Sequence, residues 1–155
     1  LLVLGDTLVV DRYIWLLKYL PKTRQNELLI DVGCGSGAFT LASDARGYDS
    51  TGISWDKRNQ EEAQTFENIQ GYTKNKFEIV DIRKLDIHRK FENIFYICIN
   101  FENIEYILDD RKLMKDIFDI LKPGGLLLFT TPFVFFSPFQ KAMRGHFHTK
   151  KMAGM

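Results

Sequence analysis

The sequence has few of the features that identify secreted, membrane-spanning or disulfide-stabilised proteins. It contains two cysteines, Cys34 and Cys98, without the paired spacing of a disulfide framework or a zinc site. No apolar run reaches the roughly 18 to 20 residues needed to cross a bilayer, and no basic segment precedes the apolar opening of the chain. These absences predict a soluble protein of the reducing cytoplasm, without a membrane span.

Net charge is nearly absent as well. The 21 basic and 20 acidic residues leave a formal charge of +1, so composition supplies no field for binding a phosphate backbone, and no nucleic-acid partner is predicted. The histidines, His88, His146 and His148, have no partners at metal-ligand spacing, so no metal site is predicted. A chain of 155 residues with 45% hydrophobic content is long enough for one α/β domain and too short for two.

Apolar strands alternate with helical patterns along the chain. An opening helix is predicted at 8–20, where Pro21 ends the helical spacing, and a helix at 110–121 is predicted to end at the KPGG of 122–125. Strands that alternate with helices predict parallel βαβ units with both faces of the sheet covered. The predicted strands lie at about 27–32, 49–54, 76–80, 94–100 and 126–131.

The fourth strand and the C-terminal tail are less clearly defined. Either Phe91 or Phe95 can open the fourth strand, because the segment FENI recurs along the chain without a constant interval. The tail at 133–155 follows neither period, and its phenylalanines would form a large apolar patch unless they are buried. We therefore predict one domain at 1–155, with a core at about 10–132 and an irregular tail.

A glycine turn follows the first predicted strand. In LLIDVGCGSGAFT, at 28–40, the apolar run reaches Asp31, and glycines then follow at 33, 35 and 37. A strand that enters a helix through such a turn brings backbone N–H groups close to a ligand, because no Cβ blocks the approach. GCGSGA fits both the G-x-G-x-x-G/A dinucleotide fingerprint and the D-x-G-x-G-x-G pattern. The turn predicts a nucleoside cofactor without choosing between NAD and another one, and tight strand-to-helix packing alone is the alternative.

Four features in order narrow this choice. They are Asp31 two residues before Gly33, VDI at 80–82, NFENIEYILDD at 100–110 and LKPGG at 121–125. With this order and spacing, the chain resembles the class I S-adenosylmethionine-dependent methyltransferases over residues 10–132. The resemblance implies a Rossmann-like, doubly wound and mostly parallel sheet of order 3-2-1-4-5. Family members normally end with a helix and an antiparallel strand pair, and only 24 residues follow Thr131 here, so the resemblance is to a member shortened at its C-terminus.

The resemblance also implies where the cofactor, S-adenosyl-L-methionine, binds. Its methionine end would lie over the glycine turn, with Asp31 beneath it, organising the turn and the amino group. A carboxylate suits that place because the amino acid portion carries an ammonium and the reactive centre is a sulfonium. The turn residues implied in this contact are Gly33, Cys34, Gly35 and Gly37.

At the ribose position the chain departs from the family pattern. Ser54 stands where such enzymes usually carry an acid that binds both ribose hydroxyls, and a serine makes only one such hydrogen bond. Asp56 either compensates for this loss or caps the next helix. Trp55 either packs on the adenine face or belongs to the core.

The resemblance implies further contacts at the ends of the third and fourth strands. Asp81 would accept the adenine amino group and the N–H of Ile82 would meet a ring nitrogen, although Asp81 can instead cap the turn. Asn100 would contact cofactor or substrate. Glu105 and Tyr106 are the catalytic candidates; Tyr106 replaces a histidine that faces the substrate in some members, so a general base there is absent or altered.

The methyl acceptor is expected to be a small or lipid-like molecule at the carboxyl ends of the strands. Its walls would be Arg12, Tyr13 and Trp15 of the opening helix, together with the loop after Pro132. Two alternatives remain open: a degenerate or truncated domain that binds cofactor weakly without catalysis, and an NAD-dependent oxidoreductase, which would require an acid at Ser54.

Overall fold

The computed structural model describes residues 7–23, 25–69, 76–83 and 91–131. Within them, five strands form one sheet in the order β3-β2-β1-β4-β5, and every neighbouring pair is parallel. This confirms the predicted order and the Rossmann-like class. The strands are β1 Leu28–Val32, β2 Asp49–Ser54, β3 Phe77–Ile79, β4 Phe95–Phe101 and β5 Leu121–Thr130.

Helices precede β1 and lie between β1 and β2, between β2 and β3 and between β4 and β5, as the alternation predicted. They are α1 Thr7–Tyr19, α2 Ala38–Asp44, α3 Lys57–Ile69 and α4 Asp110–Ile120, with a 3-10 turn at Ile104–Tyr106. Helix α4 begins where the Asp109 carboxylate accepts a hydrogen bond of 3.0 Å from the N–H of Lys112. The tail at 133–155, the three histidines and the loop after Pro132 lie outside the described residues.

Side chains of the central strands alternate between two apolar clusters, one on each face of the sheet. The first cluster joins β1 and β4 to α4 through Ile30, Val32, Cys98, Leu113, Ile117 and Ile120. The second joins the same strands to α1 through Leu16, Leu20, Leu29, Ile97, Ile99 and Phe101. Helix α1 is therefore fixed beside the carboxyl end of β4, where the Trp15 ring meets the Phe101 ring edge-on at 5.7 Å between centroids.

The last helix and strand differ from their predicted bounds. Helix α4 ends at Ile120, so Leu121, predicted as the last residue of this helix, instead opens β5 opposite Phe95. The KPGG segment does not separate helix from strand but lies inside β5, at an irregularity of pairing that ends where Leu126 pairs with Ile97. A proline is tolerated there because β5 is at the edge of the described sheet. Phe95, rather than Phe91, opens β4.

Candidate cofactor site

The glycine turn has the backbone that the sequence predicted, but its amides are used differently. Gly33, Gly35 and Gly37 have φ angles of +84°, +53° and +80°, which favour residues without a Cβ. The N–H groups of Gly33 and Cys34 donate to the carbonyl of Ile53 at 2.9 and 3.1 Å, and that of Gly37 donates to Cys34 at 2.9 Å. Two of these amides therefore hold the turn against β2 and the third closes the turn on itself. The turn allows a ligand to approach the backbone closely, but these three amides are not free to donate to it.

Asp31, the second-last residue of β1, is buried and has a partner that the sequence did not reveal. The Thr40 hydroxyl, on α2, donates to Asp31 Oδ2 at 2.8 Å. Burial raises the pKa of Asp31 to about 7, and the hydrogen bonds from Thr40 oppose this rise. An acid of this pKa close to a ligand site is suited to a cationic neighbour, whose charge would favour the carboxylate.

Cys34 is a structural thiol in the described part of the chain. Its side chain is 6% exposed, and Gln60 Nε2 donates to its sulfur at 3.2 Å. Burial raises the pKa of the thiol well above its usual range, and the charge of Asp31 adds to the rise. Cys34 is therefore a neutral thiol rather than a nucleophile, and any cofactor contact would come from its backbone.

A cavity of about 170 Å³ lies at the carboxyl ends of β1, β2 and β3, where open α/β sheets place their ligands. It brings together six residues predicted from the sequence and two that were not, Asn59 and Asn103. Five other predicted residues do not line this space: Asp31, Cys34, Gly37, Asp81 and Asn100. The lining residues are Gly33, Gly35, Ser54, Trp55, Asp56, Asn59, Ile82 and Asn103.

A wider cavity of about 700 Å³ lies at the opposite end of the sheet. It is formed where α4 meets the start of β5, between Glu92 and Gly125, and none of the predicted site residues lines it. Ligands of open parallel sheets bind at the carboxyl ends of the strands. The smaller cavity is therefore the candidate site.

Asn100 and Asn103 both donate to the carbonyl of Val32, the residue before the glycine turn. The distances from their Nδ2 atoms are 2.9 and 3.5 Å. Asn103 also lies so close to Gly33 that a Cβ at Gly33 would be 2.5 Å from its side-chain Cγ. Asn100 is fully buried, and no donor in the described structure reaches its Oδ1. The loop after β4 thus closes over the glycine turn.

Local hydrogen bonds arrange the end of β2, where the ribose was predicted to bind. The Asp56 N–H donates to Ser54 Oγ at 3.3 Å, and Asp56 Oδ1 accepts from the N–H groups of Arg58 and Asn59 at 2.9 and 3.3 Å. The alternative in which Asp56 caps α3 is therefore observed. Trp55 is 54% exposed, so the alternative that placed it in the core was wrong.

Asp81 has the turn-capping contact that was its alternative role. Its Oδ1 accepts from the Arg83 N–H at 3.1 Å, and the Arg83 guanidinium pairs with both carboxylate oxygens at 2.8 and 2.9 Å. Arg83 also lies over the Trp55 ring, 4.6 Å from its centroid. Ile82, the next residue, is 3% exposed. Contacts of Asp81 and Ile82 with adenine remain predictions.

The catalytic candidates lie in the 3-10 turn after β4. Tyr106 is 76% exposed, whereas Glu105 is half-buried and its Oε2 has no hydrogen-bond partner in the described structure. Burial raises the pKa of Glu105, the negative charge of Glu102 adds to the rise, and Arg12 opposes it. The pKa of Glu105 is therefore shifted in the direction that suits a general base, whereas most of the Tyr106 side chain faces solvent.

Comparison with known proteins bears on this arrangement of fold and cavity. The family model described as "Methyltransferase domain" matches residues 12–152. The chain belongs to this family. The membership favours methyl transfer over the oxidoreductase alternative. Among the helices that the structure describes, none is long and apolar enough to cross a membrane.

Two curated relatives and one solved structure are similar to this methyltransferase domain. The ubiquinone biosynthesis O-methyltransferase of Coxiella burnetii is 29% identical over 74% of this chain and 48% of its own. The carboxy-S-adenosyl-L-methionine synthase of Shewanella piezotolerans is 31% identical over 71% and 46%. An S-adenosylmethionine-dependent methyltransferase from Mesorhizobium loti shares the fold with a TM-score of 0.65 and 22% identity, over 76% of this chain and 51% of its own. The domain spans about half the length of these relatives.

Proposed function

We propose that this methyltransferase domain binds S-adenosyl-L-methionine in the cavity at the carboxyl ends of β1, β2 and β3, and transfers its methyl group to a small or lipid-like acceptor. The observation that carries the proposal is the left-handed turn from Gly33 to Gly37 above the buried acid Asp31. The turn allows a ligand to approach the backbone closely, and the acid favours a cofactor with cationic groups at that end, as the ammonium and sulfonium of S-adenosyl-L-methionine are.

The residues present fit this cofactor. Its ammonium and sulfonium groups are cations, and two buried acceptors lie at the turn: the Asp31 carboxylate and the Asn100 Oδ1, which no described donor reaches. A buried acceptor without a donor is costly, so a ligand donor there would stabilise the site. We assign the methionine end to the turn residues 33–37 and the adenine end to Trp55, Asp81 and Ile82.

The bound cofactor would supply a methyl group on an already activated leaving group. The side chains then have to align the acceptor and exclude water rather than perform demanding acid–base chemistry. Ile82 and Trp55 would shield the cofactor from solvent. Glu105 Oε2 would take the proton from an acceptor hydroxyl, while Tyr106 would hydrogen-bond to the acceptor without removing its proton.

The acceptor would lie between α1 and the 3-10 turn. Arg12, Tyr13 and Trp15 are each half-buried on the helix that packs beside the end of β4. The name of the Coxiella burnetii relative supports an oxygen acceptor. The buried free thiols Cys34 and Cys98 agree with a reducing, cytoplasmic location.

The proposal is tested by calorimetric titration of the unmutated domain with S-adenosylmethionine, S-adenosylhomocysteine and NAD. Saturable binding of the two sulfur nucleosides, without heat from NAD, is the expected result. Preference for NAD would overturn the assignment of the cofactor. Soaked crystals should show the nucleoside at the glycine turn, and density for it at the wider cavity near Gly125 would contradict the choice of site.

A second candidate is a domain that binds the cofactor weakly and does not turn over. It is favoured by Ser54, whose hydroxyl is already in contact with the Asp56 amide, and by the use of Asp56 as a helix cap. No side chain at the end of β2 then offers a pair of oxygens dedicated to the ribose hydroxyls. Transfer of labelled methyl groups to a panel of phenolic and lipid acceptors distinguishes the two: binding without transfer to any of them favours this candidate.

A further inference from the structure

We propose that the ion pair between Arg12 and Glu102 is a positioning device that sets the affinity of the cavity for its cofactor, acting through Asn103. The inference rests on the proposed function, because it specifies how the same site is kept in its binding geometry. Neither Arg12 nor Glu102 lines the cavity, so both act through another residue.

The first observation is the backbone of Glu102. Its φ angle is +47°, in the left-handed region that residues with a Cβ seldom adopt. Such a conformation persists only where the surrounding structure holds it, and it is concentrated at functional sites. The residue lies between β4 and the 3-10 turn, at the point where the chain leaves the sheet.

Two contacts hold Glu102 in place. Its carboxylate pairs with the Arg12 guanidinium, and both side chains are largely buried, at 17% and 27% exposure. Its N–H donates to the Thr130 carbonyl at 2.9 Å, which secures the backbone to β5. Arg12 is itself anchored, because α1 buries Leu16 and Leu20 fully against the sheet. The pair therefore connects a rigid helix to a strained backbone.

The next residue carries this restraint to the cavity. Asn103 lines the cavity, donates to the Val32 carbonyl at 3.5 Å and lies against the Cα of Gly33. If Glu102 relaxed to an extended conformation, the direction of the chain at Asn103 would change and its side chain would leave Gly33. The contact between Asn103 and the glycine turn thus depends on the dihedral angles that the ion pair helps to maintain.

The test measures S-adenosylmethionine binding by calorimetry in a double-mutant cycle. Arg12→Gln and Glu102→Gln should each weaken binding by roughly three- to tenfold, and Arg12→Lys should retain most of the affinity because the pair can still form. In an Asn103→Ala background, Arg12→Gln should have no further effect. Lys115→Gln, which removes an exposed ion pair of α4 with Asp119, is the matched control and should leave binding unchanged.

Hydrogen exchange supplies a readout that does not require the cofactor. The amides of Tyr106 and Ile107 donate within the 3-10 turn at 3.1 and 3.0 Å, and Arg12→Gln should accelerate their exchange in the ligand-free protein. Losses that add in the double mutant, or an Arg12→Gln variant with unchanged affinity and exchange, would overturn the positioning role. If the unmutated chain binds no S-adenosylmethionine, the proposed function fails, and with it the effect on affinity, while the exchange data still decide whether the pair holds the turn.

Discussion

The carboxylate of Asp31 accepts a hydrogen bond from the Thr40 hydroxyl, with 2.8 Å between Oδ2 and Oγ1, and both residues are buried. This pair joins the end of β1 to α2 directly beneath the glycine turn. The hydrogen bond offsets only part of the cost of burying the acid, so the pKa of Asp31 rises to about 7. The protonation of the site therefore changes within the physiological range.

The first prediction concerns stability and pH. The pKa of Asp31 is 3.8 in an unperturbed chain and about 7 when folded, so the unfolded chain loses this proton first as the pH rises. The contribution of Asp31 should lower the free energy of unfolding by roughly 3 kcal/mol between pH 5 and pH 8. Urea unfolding of the ligand-free protein and of Asp31→Asn at several pH values measures this. In Asp31→Asn, the free energy of unfolding should not show this fall with pH. An equal pH dependence in the two proteins would contradict the raised pKa of Asp31.

The second prediction concerns Gly33→Ala. An alanine at φ +84° is strained, and its Cβ would lie 2.5 Å from the side chain of Asn103. Gly124→Ala is the control, since it has a φ of +79° and nothing within 4 Å of the added Cβ. Both variants should lose about 1 to 2 kcal/mol of stability. Only Gly33→Ala should also weaken S-adenosylmethionine binding, by about tenfold or more. Equal binding by the two variants would show that the contact of Asn103 with the glycine turn is not part of the cofactor site.

The third prediction concerns the two roles of Asp56. Its Oδ1 caps α3, so Asp56→Ala should lower the free energy of unfolding by about 1 kcal/mol. Asparagine is an equally good cap, and Asp56→Asn should be nearly neutral in stability. If capping is the whole role, Asp56→Asn should also bind S-adenosylmethionine normally in calorimetry. A clear loss of affinity in this variant would instead indicate a contact between the carboxylate and the ribose.

The fourth prediction concerns the missing acid at Ser54. Ser54 lines the cavity at the end of β2, and an aspartate there could hydrogen-bond to both ribose hydroxyls. Ser54→Asp should tighten S-adenosylmethionine binding about tenfold, because charge-assisted hydrogen bonds contribute roughly 1.5 to 3 kcal/mol each before the cost of desolvation. Asparagine has the size of aspartate without its charge, so Ser54→Asn should change the affinity for S-adenosylmethionine less than twofold. Weaker binding by Ser54→Asp would show that the ribose does not lie at this strand end.

The location of the site could be predicted from the sequence because it depends on connectivity. In a parallel sheet, the residues that follow each strand meet at one edge, so Gly33, Ser54 and Ile82 had to converge once their strands were recognised. The strand order was predicted differently, because it was implied by the family resemblance that the motifs carry. Trp55 and Asp56 could not be assigned between two roles, since exposure and capping depend on the local path of the chain.

Contacts between distant segments could not be predicted. Asn103 donates to the carbonyl of Val32, 71 positions earlier, and it directly follows Glu102, whose left-handed conformation its residue type does not favour. Thr40 reaches Asp31 because α2 packs back on β1, and no spacing rule indicates that hydroxyl. The KPGG segment was predicted to separate α4 from the last strand, yet β5 already begins at Leu121, and the segment forms the irregularity between the pairs Leu121–Phe95 and Leu126–Ile97.

The order of apolar and polar residues by itself determined the alternating strands and helices, the glycine turn and the edge of the sheet where a ligand would bind. These features follow from periodicity and from backbone sterics, which act over a few neighbouring residues. Only the tertiary structure decided the raised pKa of Asp31, the closure of Asn103 over Gly33 and the pairing of Arg12 with Glu102. Burial and contacts between distant segments exist only after the chain has packed, so no local pattern encodes them.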